Sequence, residues 1–156
     1  MYFHFKTKAA IVRYLVERMK AETISPTFSR AMEDQPAESR LRALAAVNRR
    51  TCEAWWDVYE VLREAAASDD ALGAVVAEMD GGRLYGQRKL AKTLAARGEL
   101  TRGVGATMAT DILWALASED AYQRLVVERK WSPNRYEAWL GACLSQQLLR
   151  RRGEKP

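Results

Sequence analysis

Few side chains in this 156-residue chain could do covalent or metal chemistry: one histidine, His4, and two cysteines, Cys52 and Cys143. Neither cysteine has a neighbour at the spacing of a zinc site or a CxxC redox pair, so both read as reduced, buried thiols. No metal and no cofactor is expected. Either thiol paired with His4 is the only nucleophile-base combination on offer, and no HExxH pattern, Ser-His arrangement or facing carboxylate pair accompanies it. The expectation is a protein that is not an enzyme.

Recognition chemistry is better supplied. Asn48, Cys52, Trp55, Trp56 and Tyr59 gather an amide, a thiol, broad aromatic surface and a phenol within about three helical turns. Met79 and Arg83 could face them from the next helix, with Met108, Ile112 and Trp114 closing the far side. Ligand pockets in helical domains are mostly apolar with a few convergent polar groups, so these ten residues are the candidate effector pocket. Trp55, Tyr59 and Met79 at helical spacing fit a plain core equally. A buried Asn48 amide costs about 1–3 kcal/mol if unpaired, although a nearby backbone group could satisfy it. A guanidinium on a core stripe is also expensive. Arg83 could answer an anionic ligand, pair with an acid such as Asp57 or Asp111, or snorkel to the surface.

The elements that must position these residues read as helices throughout, with no strand pattern and no repeat. Thr7 is the cap of a first helix that runs to about Ala21, and Ser25-Pro26 begins a turn or short helix. Pro36 opens an unbroken helix to about Ala67, on the order of 45 Å long. Leu41, Leu44, Ala45, Asn48, Cys52, Trp55, Tyr59 and Leu62 share one face of it, whereas Val47, Ala54, Val58 and Val61 populate another. A helix apolar on nearly all sides beyond Thr51 should be the central pillar, buried by neighbours on several sides. Ser68-Asp69-Asp70 caps a third helix ending at Gly98, with a kink expected at Gly81-Gly82. Ser118-Glu119-Asp120 caps "AYQRLVVERK" after the helix "ATMATDILWALA", and Ser132-Pro133 caps a last helix to about Arg151.

Composition sets the outer limits. With 48% hydrophobic and 29% charged residues the chain is an ordinary soluble domain. No apolar run approaches the roughly 20 residues of a membrane span, and no leader pattern precedes the first helix, so a cytoplasmic protein is expected. The net charge of +5 is concentrated at the ends. Lys6, Lys8, Arg13, Arg18 and Lys20 oppose only Glu17 at the front, and Arg150, Arg151, Arg152 and Lys155 oppose only Glu154 at the back. A basic front edge suits a meeting with a polyanion, and the basic tail reads as solvated.

The opening "MYFHFKTKAAI" resembles the junction that ends the helix-turn-helix domain of TetR-family transcriptional regulators, [LI]-Y-x-[HY]-F-x-[ST]-K-x-x-[LI]. Tyr2, His4, Phe5, Thr7, Lys8 and Ile11 match it, with Met1 at the leucine or isoleucine position. The stretches "GRLYGQRKLAKTLAARGELTRGV" and "ATDILWALASEDAYQRLVVERKWSPNRYEAWL" resemble the family's C-terminal ligand-binding and dimerisation domain. The resemblance implies an all-α, TetR-like C-terminal bundle with a long central helix. Residues 1–8 would be a remnant of the DNA-binding domain, and 9–156 the effector-binding and dimerisation domain. It implies a homodimeric regulator, usually a repressor, that answers a small-molecule effector. In matching positions Tyr2, His4 and Lys8 would contact DNA phosphates, which position a protein without reading sequence.

The last two helices would form a four-helix bundle with their mates, through Tyr122, Leu125, Val126, Trp139, Leu140, Cys143, Leu144 and Leu148; burial within the monomer is the alternative. The first two helices and most of the recognition helix do not precede Met1, so specific DNA binding is expected only where they are present. A stand-alone effector-binding and dimerisation module is the alternative function.

Overall fold

The computed structural model describes residues 7–23 and 34–150, and among these every regular element is helical. The order is α1 (Lys8–Thr23), α2 (Ala37–Ala66), α3 (Asp70–Ala96), α4 (Ala106–Leu116), α5 (Glu119–Tyr122), a π-helical turn (Gln123–Glu128) and α6 (Pro133–Leu148). None of them is long and apolar enough to cross a membrane. Tyr2, Phe3, His4, Phe5, Ser25 and Pro26 lie outside the described residues.

Helix starts follow local chemistry. Thr7 Oγ1 accepts from the Ala10 N–H at 3.2 Å, and Asp69 Oδ1 accepts from the Ala71 and Leu72 N–H groups at 3.0 and 3.2 Å. Ser118 and Ser132 accept from Ala121 and Arg135, each at 3.2 Å, so each satisfies a donor with no partner inside its helix. Gly98, at φ +64°, is the left-handed residue that closes α3, where a side chain would be strained.

The helical pattern of α3 continues without interruption through Gly81-Gly82, so the glycines lower helix propensity without breaking the element. Two local expectations need correction. The segment after Tyr122 widens into a π-helical turn, closed by the Trp131 N–H donating to the Leu125 carbonyl at 3.0 Å. α6 stops at Leu148, not Arg151. There the chain extends, Leu149 bridges to Leu100, and the Thr101 N–H donates to the Leu148 carbonyl at 2.9 Å. The end of the helix thus finds its hydrogen bond in a neighbouring loop.

α2 is the pillar, packed against α1, α3, α5 and α6. Its coat is incomplete, however. Leu41, Ala45, Cys52 and Leu62 are buried, but Ala54 is exposed and Val61 is 66% exposed, because no element covers that side. Two apolar clusters result. The larger joins α2 to α4 and α6 through Leu41, Leu113, Tyr136, Leu140, Leu144 and Leu148, and the smaller joins Val16 and Met19 of α1 to Leu62, Leu72 and Val75. Apolar burial at about 25 cal/mol per Å² makes the larger cluster the main source of stability.

Candidate functional site

Between these clusters α2 and α3 run antiparallel and enclose a trench of about 480 Å³. Its lining on α3 runs from Val76 to Thr93, roughly 25 Å of helix, so the trench is long. Met19, Leu44, Val47, Leu62, Val76, Met79 and Leu90 form apolar walls. Gly82 and Gly86 also line it, and a Cβ built on either meets nothing within 4 Å. These glycines keep the α3 wall low.

Five of the ten pocket residues expected from the sequence line the trench: Asn48, Cys52, Tyr59, Met79 and Arg83. The other five do not. Trp55 turns toward a much smaller void shared with Leu15 and Val16 of α1, and its indole N–H is buried without a partner. Trp56 packs on Tyr122, with ring centroids 5.8 Å apart. Met108 is 52% exposed and Ile112 packs against the larger cluster, on parts of α4 away from the trench. Trp114 stands one layer behind, with the Arg83 guanidinium 3.8 Å above its ring.

Polar groups concentrate on the trench floor. The Tyr136 hydroxyl donates to Asn48 Oδ1 at 2.8 Å, so a side chain of α6, and no backbone group, satisfies the amide oxygen. Arg83 pairs with Asp80 at 3.3 Å and Glu119 at 3.1 Å, and donates to the Ala117 carbonyl at 3.2 Å. The acidic partner foreseen for Arg83 therefore exists, but it is neither Asp57 nor Asp111. The Glu119 contact is a charge contact without hydrogen-bond alignment: Glu119 Oε2 is buried and accepts from no donor. Gln87 is 3% exposed and donates to the Leu113 and Ala117 carbonyls at 3.3 and 3.5 Å, leaving Oε1 without a donor. At the far end Arg40, also buried, pairs with Glu99.

The floor holds its thiol and its phenol protonated. Burial pushes the Cys52 thiol and the Tyr59 phenol well above their usual ranges, and the Glu119 carboxylate pushes both further. Neither is a nucleophile at neutral pH. Among the described residues no three His, Cys, Asp or Glu side chains gather as a metal-binding group.

Arg40, Thr51, Arg63, Asp80, Gln87 and Glu119 line the trench and were not anticipated. Gln87 carried a signal, since it lies four residues after Arg83 on the same helical stripe. Glu119 was legible only as part of a helix cap, because it reaches the trench from the start of α5, far from Arg83 in sequence.

The proposed dimer residues divide. Tyr122, Leu140, Leu144 and Leu148 are buried inside the monomer core and present no surface, which corrects their assignment. Leu125, Val126, Trp139 and Cys143 are only partly buried. Of the three proposed phosphate contacts, Tyr2 and His4 lie outside the described residues, and Lys8 is exposed at the start of α1. No protein-family model, curated protein or solved structure matches the chain.

Proposed function

We propose that the chain is the effector-binding and dimerising body of a TetR-like transcriptional regulator, most simply a repressor. The observation that carries this reading is the long trench between α2 and α3, apolar along its walls and polar on its floor. The resemblance of the junction motif supports it independently, through Thr7 and Lys8 at the start of α1. It rests on that motif, on the two C-terminal stretches that resemble the family's ligand-binding and dimerisation domain, and on the helical architecture. A homodimer is formed through the partly buried residues Leu125, Val126, Trp139 and Cys143, which leave apolar surface next to one another in the chain's last two helical segments.

Occupation of the trench would act on the helices around it. α1 supplies Met19 to the trench and follows directly from the junction motif, so a ligand that wedges α2 from α3 also moves α1. In a chain that carries the DNA-reading helices, that displacement changes their separation in the dimer.

Size-exclusion chromatography with light scattering tests the dimer, and a monomer at micromolar concentration removes it. Sequence upstream of the Met1 codon tests the regulator. An in-frame extension with a helix-turn-helix pattern supports it, and an immediate in-frame stop supports the stand-alone module. In a gel shift the present chain is expected to give only weak, salt-sensitive association with DNA.

A further inference from the structure

The charge balance of the trench floor identifies the kind of ligand it takes. Arg83 is the one cation shared by two carboxylates, Asp80 and Glu119. Arg63 is cancelled by Asp120 at 2.6 Å, and Arg40 at the far end by Glu99. Lys89 lies on the exposed rim, nearly two turns along α3 from Arg83. Among the described residues of this group, Arg83 and Arg63 thus face three carboxylates, Asp80, Glu119 and Asp120, which leaves one unbalanced negative charge.

At the Arg83 end of the trench the unmet hydrogen-bond capacity has the same sense, whereas at the far end Arg40 Nε and Nη1 are buried donors without a partner. Two buried acceptors, Glu119 Oε2 and Gln87 Oε1, lack donors, and both residues belong to the shell around the Ala117 carbonyl. Arg83 Nε is the single buried donor there without a partner. The Tyr59 hydroxyl lines the same region and makes no hydrogen bond within the described protein, so it can accept as well as donate. Glu119 raises the Tyr59 phenol more than Arg83 lowers it, as expected where the local potential is negative. An anion placed there would meet a carboxylate, whereas an ammonium would supply both the missing donors and the missing charge.

We propose that the trench binds an elongated apolar amine, its hydrocarbon along Leu44, Val47 and Leu90 and its protonated nitrogen at Glu119, Asp80 and the Tyr59 hydroxyl. This rests on the reading of the trench as the effector site, and it adds the chemical class of the effector.

Isothermal titration of the intact chain with octylamine, octanol and octanoate, each below its micellar concentration, separates the two claims. Octylamine is expected to bind at one site about tenfold more tightly than octanoate, with octanol between them. Glu119→Gln should weaken octylamine at least about fivefold and leave octanol unchanged. Asp80→Asn, at a more exposed carboxylate, should act in the same direction should Glu119→Gln fail to fold. Octanoate binding as tightly as octylamine, or octylamine binding the native chain and both variants equally, overturns the amine assignment while the trench stands. If none of the three binds, the effector-site reading falls and the amine assignment falls with it.

Discussion

The two apolar clusters share the helix α2 yet are built to different densities. Around its first half, Leu41, Leu113, Tyr136, Leu140, Leu144 and Leu148 reach zero exposure, because α6 closes on α2 and α4 closes on α3 and α6 behind it. Around its second half α1, the short α5 and the start of α3 close in, yet Val61 stays in solvent, and Met79 and Tyr59 border open space. A closed half and an open half of one helix give a rigid frame with a deformable wall. Ligand sites need both: the frame fixes the geometry, and the wall supplies the low-stability element that a ligand can move.

Truncation should expose that asymmetry most sharply. Leu144→Ala, in the closed half, should cost about 3–5 kcal/mol in urea unfolding. Met79→Ala, beside the trench, leaves a space that is already open and should cost about 1–2 kcal/mol. Equal losses would mean that both halves pack alike. Arg83→Ala removes the partner of nearly buried Glu119 and should cost about 2–3 kcal/mol, read in the same assay.

Alkaline titration reaches the floor between the two halves. Cys52 and Tyr59 are held protonated in the folded chain and ionise more easily when unfolded, so their contribution is complete below the ordinary thiol range and is lost as pH rises. Stability should therefore begin to fall near pH 9, the ordinary thiol value. Cys52→Ala should delay that onset to the phenol range, near pH 10. The smallest effect belongs to the α3 wall: Gly81→Ala adds a Cβ that meets nothing and should raise stability by about 0.5–1 kcal/mol. A loss there would show that α3 needs the freedom of its glycine pair.

How much was legible in the sequence follows from the range of the interactions. Caps at Thr7, Asp69, Ser118 and Ser132 are local, and so were readable within a few residues. The stripe on α2 located Asn48, Cys52 and Tyr59 correctly, because helical periodicity decides which side chains share a face. Periodicity does not say which neighbour arrives on that face. Trp55 and Trp56 sit on the same helix as Tyr59 and went to α1 and to Tyr122 instead, and Glu119, legible only as part of a helix cap, reached Arg83 from the start of α5. The broad stripe on α6 marked burial, but not whether its own chain or a second copy would cover it. Four of the eight residues assigned to the dimer surface are covered by this chain. The π-helical turn is likewise a tertiary outcome, invisible to a search at 3.6 residues per turn.

The central claim is that the space between α2 and α3 receives a ligand, and a plug placed in it tests this most directly. Gly86 lines the trench, and a Cβ there meets nothing, so Gly86→Phe can be accommodated without disturbing the closed half. Fluorescence titration with 1-aminoanthracene, a neutral apolar probe, should give one saturable site on the native chain. The site should be lost in a Gly86→Phe variant that melts no lower than the native chain. Absence of saturable binding to the native chain, or equal binding to a folded Gly86→Phe variant, would contradict the account.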